Sequence, residues 1–463
     1  MKKVNIRILD IAIENVKNVS KGSMLLNDVT TESMGASVIG IYGQNGSGKT
    51  ALIWAIGIIK DAISGSVLPS DSHYYIRQKA ERASIQVRFE LTIADRMYSV
   101  YYNLSFGKAG KGLQILSESV DFSAKAIDHE PRIYKTRIIG IDYPSNSIEY
   151  GECYYNPESR ITEMSSVDKQ IRQKLPVLQA LADEKSLSFI FNDKMMELLS
   201  VSLPNKLFFD ILDELRFFAR MNLFVLNKNS ESSYNMNLLP LSMRLSTKNT
   251  ISKSDAIPVG LGQNTATVDA FKTIQSIIAQ IDLLIDSIVP GLKIEIINKS
   301  SQLNENSQEE LLFELASNRN GIITPLRYES EGIKKILCIL SSLIAMYNDN
   351  SIFVAIDEMD AGIFEYLLGE ILETIKKTGK GQLLFTSHNM RPLEVLDSSS
   401  IYFTTTNPEN KYIRFTGIKA NNNLRATLLR TIDLGGQKET VYDNTSIYQI
   451  GKAFRKAGVL VSG

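Results

Sequence analysis

The segment Gly43–Thr50, Gly-Gln-Asn-Gly-Ser-Gly-Lys-Thr, matches the phosphate-binding loop pattern G-x-x-x-x-G-K-[ST] at every fixed position. Residues 37–42 before it predict a buried strand, and residues 51–63 after it predict an apolar helix. In that context, successive backbone N–H groups and the start of the helix face a phosphate chain. The predicted phosphate-binding residues are Asn45, Gly46, Ser47, Gly48, Lys49 and Thr50. The sequence therefore predicts binding of a nucleoside triphosphate, with the Lys49 ammonium on the β- and γ-phosphates and the Thr50 hydroxyl on Mg²⁺.

Composition and charge restrict the class of protein. The 463 residues are 44% hydrophobic and 22% charged, which is the balance of a folded globular chain with room for two or three core-bearing units. The charges of the 51 basic and 51 acidic residues cancel, so no global electric field favours binding to nucleic acid or to an anionic membrane. These totals do not exclude a local basic groove. The N-terminal residues are too polar for a secretory signal, and no apolar run has the length of a membrane span. We therefore expect a cytoplasmic protein without a membrane segment.

The two cysteines give little sign of chemistry. Cys153 and Cys338 are far apart in sequence and do not have metal-ligand spacing. We expect a reducing compartment, no disulfide framework, and a packing role for both.

The hydrophobic pattern divides the chain into three parts. Residues 1–160 are rich in strand patterns and would hold the phosphate loop and an antiparallel β lobe. Residues 161–290 shift towards a helical period and predict a mainly helical insertion, interrupted by a polar loop at residues 227–254. Residues 291–463 would form the second half of the nucleotide-binding domain.

A second group of candidate residues follows the apolar run at residues 351–356, which predicts a strand that ends in Asp357 and Glu358. A carboxylate at this place can hold Mg²⁺, and the next one can polarise a water that attacks the γ-phosphate. Without the phosphate loop, a cap for a helix near Ala361 would be the better interpretation. With the loop present, the pattern favours Asp357 as metal ligand and Glu358 as catalytic base.

A histidine ends another predicted strand. Residues 381–387 form a short apolar segment, and His388 follows it. A lone histidine at a strand end is more often a surface or core residue than a catalytic one. Its position 30 residues after Glu358 instead favours a hydrogen bond to the γ-phosphate or to the attacking water.

A serine precedes a long apolar helix predicted at residues 333–346. Ser330 is a good N-cap, and Gly332 follows it within the first turn. Taken alone, the segment predicts a capped helix and nothing more.

The order of these motifs resembles that of the ATP-binding-cassette (ABC) ATPases: phosphate loop, Ser-x-Gly helix start, Asp-Glu strand and histidine strand. The resemblance implies an α/β fold, that of an ABC-type P-loop ATPase with an antiparallel β lobe and a helical insertion. It also implies that ATP and Mg²⁺ are the cofactors. It also implies that Ser330 and Gly332 complete the site of a second subunit in a head-to-tail dimer. Asp360 would lie in the loop that joins the two sites, and hydrolysis would open the dimer.

Departures from the transporter pattern indicate a narrower group. Ser-Glu-Gly stands where transporters carry Leu-Ser-Gly-Gly-Gln, and no membrane span is present. The chain looks like the ATPases related to the overcoming-lysogenization-defect (OLD) nucleases and, more remotely, like the chromosome-maintenance (SMC) and recombination ATPases. It looks most like the ATPase component of two-gene anti-phage systems of the PARIS and abortive-infection types. Residues 401–463 hold no Asp-x-Asp set typical of a built-in Toprim nuclease.

The resemblance thus implies a slow regulatory ATPase. It would hold an effector, such as a Toprim nuclease from a neighbouring gene, in a homo-oligomer, and release it when a phage protein is sensed. A DNA-repair or DNA-end clamp closed by the same ATP sandwich is the competing hypothesis, and an ATP-binding scaffold is a third. Gln86 is one candidate for the residue that connects the γ-phosphate to the lobe, but strand alternation explains it equally well.

Overall fold

The computed structural model of the protein describes residues 4–26, 35–69, 72–109, 112–126, 132–142, 177–178, 180–182, 184–203, 205–227, 238–241, 246–247, 250–251, 257–303, 307–417 and 423–460. Cys153 and most of the polar segment at residues 227–254 lie outside these ranges. Cys338 is buried and is not part of a disulfide.

A mostly parallel sheet forms the centre of the fold. Its strands, in spatial order, are β20 (Tyr412–Ile413), β19 (Ile401–Thr404), β3 (Ser37–Tyr42), β18 (Gln382–Thr386), β17 (Phe353–Ile356) and β8 (Leu223–Leu226). All neighbours pair in parallel except β20, which runs antiparallel to β19. The phosphate-loop strand therefore lies beside the strand that precedes His388, and that strand lies beside the one that precedes Asp357.

Strand β8 comes from the segment predicted as a helical insertion. Its four residues, Leu-Phe-Val-Leu, pair in parallel with β17 at the edge of the central sheet. A short apolar run of this kind cannot be told from a helical segment by periodicity, which is why the sequence pattern did not identify it.

An antiparallel sheet forms the predicted β lobe. Its spatial order is β2 (Val19–Leu25), β1 (Asn5–Val16), β4 (Arg82–Ile93), β5 (Arg96–Ala109), β6 (Gly112–Ala124) and β7 (Ile133–Asp142). A smaller antiparallel sheet joins β13 (Gln263–Thr267), β15 (Glu309–Arg319) and β14 (Leu292–Leu303), with β16 (Ile322–Pro325) on β15. Two short pairs complete the described strands: β9 (Leu238–Leu241) with β12 (Ile257–Gly260), and β10 (Ser246–Thr247) with β11 (Thr250–Ile251).

Helices pack on both faces of the central sheet. The helices of the described residues are α1 (Lys49–Ser64), α2 (Asp193–Ser202), α3 (Lys206–Met221), α4 (Val268–Ile288), α5 (Glu331–Asn348), α6 (Glu365–Thr378), α7 (Pro392–Val395), α8 (Leu424–Leu434) and α9 (Ile447–Leu460). On one face, α1 packs with α3 and the β lobe in one hydrophobic cluster. On the other face, α4, α5 and α6 share a second cluster. Strand residues alternate between the two, with Ala355 in the first and Val354 in the second, as expected of a parallel sheet buried on both sides.

The architecture confirms the predicted α/β class with an antiparallel lobe. Helix α1 begins at Lys49, two residues before the predicted start, because the last two residues of the phosphate-loop motif form its first turn. None of the described helices combines the length and the apolar character that a membrane crossing requires.

Candidate nucleotide-binding site

A cavity of about 530 Å³ lies over the phosphate loop. It is lined by Lys17, Asn18, the loop residues Asn45 to Thr50, Ala51, Glu358 and His388. The structure therefore brings together the predicted phosphate-binding residues, the predicted base and the predicted γ-phosphate sensor, although the loop is more than 300 residues from Glu358 and His388 in sequence. They meet because their strands are neighbours and all end at the same edge of the sheet.

The loop keeps its shape through glycine geometry. Gly43, Gly46 and Gly48 have φ angles of 153°, 74° and 107°, which residues with a Cβ rarely adopt. A Cβ on Gly43 would also lie 1.7 Å from the Thr404 hydroxyl oxygen. The first glycine of the motif is thus required by the close approach of β19 as well as by its backbone angle.

The β19–β20 hairpin supports the loop from behind, a role that sequence reasoning missed. The Thr404 hydroxyl donates to Ser47 Oγ at 2.6 Å, and the Tyr412 hydroxyl donates to the Gly48 carbonyl at 2.8 Å. From the other side, the Asn18 amide donates to the Gly46 carbonyl. The loop is therefore held by side chains from two distant segments, and no local pattern in the sequence marks them.

The Lys49 ammonium is folded onto its own loop. Its Nζ donates to the carbonyl oxygens of Gly43 at 2.7 Å and Gln44 at 3.1 Å. Phosphate oxygens in the cavity would offer charge-assisted hydrogen bonds, which are stronger than bonds to neutral carbonyls. The ammonium is thus already positioned at the cavity wall for a phosphate chain.

The predicted metal ligands are adjacent. The Thr50 hydroxyl lies 3.3 Å from Asp357 Oδ1, and the Thr386 hydroxyl donates to the same oxygen at 2.7 Å. Asp357 is 1% exposed, and within the described part of the chain its Oδ2 has no hydrogen-bond partner. A buried carboxylate oxygen without a partner beside a threonine hydroxyl suits Mg²⁺, which prefers oxygen ligands and usually takes only one or two carboxylates.

Glu358 has an unusual backbone conformation. Its φ is 49°, in the left-handed region that is uncommon for residues other than glycine. Its N–H donates to the Thr386 hydroxyl at 2.7 Å. Thr386 thus bonds both neighbouring acidic residues, accepting from Glu358 N–H and donating to the Asp357 carboxylate. The hydrogen bond fixes the turn that aims Glu358 at the cavity, and strained backbone of this kind is frequent at functional sites.

Asp360 connects the acidic turn to the histidine. Its Oδ2 accepts from the N–H groups of His388 at 3.1 Å and Asn389 at 3.0 Å. The histidine side chain itself is exposed at the cavity wall. Asp360 therefore sets the position of the His388 backbone without touching its ring.

Ser330 and Gly332 are not at this cavity. The Ser330 hydroxyl accepts from Ile333 N–H at 3.3 Å as the N-cap of α5. Gly332 packs against Gly362, where an added Cβ would lie 2.2 Å from the Gly362 carbonyl oxygen. Within one chain, these residues therefore have a capping role and a packing role, and neither is among the residues that line the Lys49 cavity.

Gln86 lies on β4 and lines a different hollow, of about 240 Å³, together with Glu14 and Ser105. It is not among the residues that line the Lys49 cavity. In a single chain, the alternation of polar and apolar residues along β4 is thus sufficient to explain a glutamine at position 86.

Comparisons with known proteins give distant structural resemblances. No protein family matches the sequence, and no curated protein does. The chain is similar to an SMC head bound to the C-winged helix domain of ScpA, with 13% identity over 88% of this chain and 97% of that one and a TM-score of 0.42. It is also similar to the recombination mediator protein RecF-ATP of the RecFOR pathway, with 12% identity over 83% of this chain and 94% of that one and a TM-score of 0.36. A third similar structure is the SMC head domain from Thermotoga maritima, with 13% identity over 88% of this chain and 98% of that one and a TM-score of 0.32. Because these identities and TM-scores are low, the chemistry of the site is assigned from its own residues.

Proposed function

We propose that this protein is an ABC-type ATPase that works as a dimer. Each chain would contribute one nucleotide site, and the second copy of the chain would complete it. The observation that carries the proposal is the pair formed by Thr50 and Asp357. The Thr50 hydroxyl lines a cavity large enough for a nucleotide, and beside it lies the buried Asp357 carboxylate, which has one oxygen without a partner among the described residues. ATP and Mg²⁺ are the ligands that this combination suits.

Each residue of the cavity has a defined task in the proposal. The loop N–H groups and Lys49 bind the phosphate chain, and Thr50 and Asp357 hold Mg²⁺, which neutralises charge on the β- and γ-phosphates. Glu358 accepts a proton from, or orients, the water that attacks the γ-phosphate. His388 donates to the γ-phosphate or to that water.

We include a second copy in the proposal because the start of helix α5 at Ser330 lies away from the cavity of its own chain. A helix N-terminus with a serine and a glycine can face an anion through its N–H groups. Facing the γ-phosphate of a partner, it would complete a site that one chain leaves open. The contact of Gly332 with Gly362 and the bond of Asp360 to His388 form a continuous connection from this helix start to the chain's own cavity.

For the biological role, we propose a regulatory ATPase of an anti-phage system that holds and releases an effector such as a Toprim nuclease, in response to a phage protein. The order of the motifs and their resemblance to such ATPases support this role. The regulatory role also suits a site that needs a second copy, since ATP then changes assembly. A cytoplasmic location accompanies this proposal.

A mixing experiment tests the completed site. Lys49→Ala removes the phosphate charge and Ser330→Ala removes the hydroxyl that would act on the partner, so each variant alone should lose most ATP turnover. A 1:1 mixture should recover about a quarter of wild-type activity, because about half of randomly formed dimers are mixed and each mixed dimer holds one intact site. Lys49→Ala mixed with itself at the same total concentration is the control. Recovery no greater than the average of the two variants would exclude the shared site.

The DNA-clamp alternative is separated by salt. If duplex DNA raises turnover several-fold and the effect falls steeply between low and physiological salt, phosphate contacts to DNA are present and the clamp is favoured. Turnover that is indifferent to DNA at both salt concentrations favours the regulatory role.

A further inference from the structure

Helix α9 is exposed on nearly all sides. Of its residues 447–458, all except Gly451 are exposed. The Ser446 hydroxyl accepts from Gln449 N–H at 3.3 Å and caps the start of the helix. A helix of 14 residues is marginal in water on its own, because helices in proteins are stabilised mainly by the packing of an apolar face. We therefore expect α9 to pack on a surface outside the described part of its own chain.

One side of α9 is apolar and the other is basic. Ile447, Ile450 and Phe454 share the apolar side of the helix, and they are 90%, 46% and 77% exposed. The basic side carries Lys452, Arg455 and Lys456, which are all exposed. No acidic residue occurs at residues 444–463, so two copies of α9 would repel each other. The surface that receives α9 is thus expected to be apolar and acidic.

An exposed aromatic patch lies at the start of α5 and α6. It consists of residues 328–331 and 364–370, two segments that come together because Gly332 packs against Gly362. Its exposed rings are those of Tyr328 (71% exposed), Phe364 (71%) and Tyr366 (60%). The last two rings stack with 6.1 Å between their centroids. Large exposed rings grouped in this way mark an interaction surface.

The aromatic patch is also acidic. Its carboxylates are Glu329, Glu331, Glu365 and Glu370, and it contains no lysine or arginine. Glu331 and Glu365 contact Lys334 and Arg425 of their own chain, and their side chains are still 74% and 44% exposed. The arginines that border the patch pair with carboxylates outside it, in the pairs Arg327–Glu314 and Arg391–Glu394. The patch therefore presents negative charge beside apolar rings and is complementary to α9.

The proposed dimer would bring these two surfaces together. The Asp443 N–H donates to Gln44 Oε1 at 3.1 Å, and the Gln44 amide donates to the Asp443 carbonyl at 3.4 Å. Asp443 is three residues before Ser446, so α9 begins within about 11 Å of a residue bound to the phosphate loop. The aromatic patch of the second copy includes Ser330, which the proposed function places at the γ-phosphate bound by that loop. The patch of one copy would thus lie close to α9 of the other.

We infer that α9 docks on the aromatic patch of a second copy, with its apolar side on the exposed rings and its basic side towards the carboxylates. The inference rests on the head-to-tail dimer of the proposed function and assigns to it a further contact surface. Because Gln44 connects the segment before α9 to the phosphate loop, docking of α9 and binding of ATP are expected to strengthen each other.

Cross-linking between two variants of the full chain tests the contact. One variant carries Ala457→Cys, three residues after Phe454, and the other carries Glu370→Cys, four residues after Tyr366. With a non-hydrolysable ATP analogue and a short bismaleimide, the mixture should give at least about tenfold more covalent dimer than either variant alone. Leu283→Cys, at an 83% exposed position of α4, replaces Ala457→Cys in the control and should give only the background of the wild type.

A substitution on the apolar side measures the contribution of the rings. Phe454→Glu should raise the dissociation constant of the dimer at least about tenfold, measured by sedimentation with the ATP analogue, because an aromatic anchor is lost. Leu283→Glu makes the same kind of change at the exposed position on α4. Its dissociation constant should stay within about twofold of the wild-type value.

A charge exchange identifies the occupant. Lys452→Glu with Lys456→Glu should weaken the dimer, and so should Glu365→Lys with Glu370→Lys, because each pair of changes brings like charges together. All four changes in one chain should restore association, since every copy then presents an acidic helix to a basic patch. Only docking between copies of this chain predicts that restoration.

The inference is overturned if the mixture gives no more covalent dimer than the single variants, or if the four changes together restore nothing. If α9 instead binds vesicles of equal parts phosphatidylcholine and phosphatidylglycerol, and Phe454→Glu abolishes that binding, the occupant is a membrane surface and the inference is wrong. Recovery of turnover in the mixture of Lys49→Ala and Ser330→Ala without cross-linking would refute the docking alone. Cross-linking without that recovery would refute the shared nucleotide site and leave the docking in place, and absence of both would refute both.

Discussion

Two buried carboxylates, Asp357 beside Thr50 of the phosphate loop and Glu118 in the β lobe, are each 1% exposed and differ in how their oxygens are satisfied. Glu118 Oε1 accepts from the hydroxyls of Ser188 at 2.6 Å and Tyr102 at 2.7 Å, and Oε2 accepts from two backbone N–H groups at 3.0 and 3.2 Å. Asp357 has two donors on one oxygen, and its other oxygen has no partner within the described residues. The saturated carboxylate has the pattern of a structural group, and the half-satisfied one has the pattern of a ligand site.

The difference is also electrostatic. Burial raises the pKa of the Glu118 carboxyl, and its four hydrogen bonds oppose that rise. Such a group serves to hold the segment at residues 188–190 against β6. A buried carboxylate oxygen that lacks a donor can instead be stabilised by a cation, which is the role proposed for Asp357.

The largest expected effect is on ATP turnover, from a change at Glu358, the residue next to Asp357. Glu358→Gln should lower ATP turnover about 10²- to 10⁴-fold, because the amide cannot accept a proton from the attacking water. ATP affinity, measured by equilibrium binding, should change less than threefold. Turnover at the wild-type rate would remove Glu358 from the mechanism, and loss of ATP binding as well would mean that the residue supports the cavity instead.

The structural side of the comparison predicts a loss of stability. Glu118→Ala leaves two backbone N–H groups and two hydroxyls without their acceptor, and should lower the free energy of unfolding by about 3 to 5 kcal/mol. Glu118→Gln is the matched control and should lose less, since the Ser188 and Tyr102 hydroxyls can rotate to accept from the amide. Chemical denaturation measures both. ATP turnover per folded molecule should stay unchanged, and a drop in turnover without a drop in stability would contradict the structural assignment.

A third prediction concerns the residue that orients the acidic pair. Thr386→Val removes the hydroxyl that donates to Asp357 and accepts from Glu358, and should weaken Mg²⁺ binding in the presence of ATP about ten- to a hundredfold. Thr405→Val is a matched control, because that buried hydroxyl follows β19 and donates to the Asn410 carbonyl at 2.6 Å, in the β19–β20 connection. Its Mg²⁺ affinity should be close to that of the wild type. Equal losses in the two variants would show a general packing effect.

The sequence predicted the central part of the site because each motif is local. The phosphate loop, the Asp-Glu strand end and the His388 strand end are contiguous patterns, and parallel strands place their ends at one edge. Thr386 could have been found in the same way, since the β17–β18 register pairs Ile356 with Phe385 and so sets Thr386 beside Asp357.

The support behind the loop could not be predicted. Thr404 and Tyr412 are more than 350 residues from the loop, and nothing in their local sequence distinguishes them from ordinary strand residues. The same holds for Asn18, whose contact with Gly46 depends on how β1 and β2 pack on the central domain. Side-chain contacts between distant segments depend on tertiary packing, which hydrophobic periodicity does not encode.

The smallest expected effect concerns a third carboxylate, Asp61 on α1, for which burial raises the pKa to about 6 from an ordinary 3.8. Below about pH 3.8 the group is protonated in both the folded and unfolded states, and above about pH 6 it is ionised in both, so stability is lost as the pH rises between these values. Asp61→Asn removes that cost. The variant should be about 1 to 2 kcal/mol more stable than the wild type at pH 8 and nearly equal to it at pH 4.

Denaturant titrations of both proteins at the two pH values measure this difference. Asp433→Asn at an exposed position of α8 provides the control for the removal of a carboxylate from a helix. If Asp61→Asn were less stable at pH 8, the ionised carboxylate would contribute a favourable interaction, and Asp61 would belong with Glu118 as a satisfied buried acid. A gain confined to high pH would instead show that burial of the Asp61 carboxylate costs more stability than the neighbouring Lys60 charge restores.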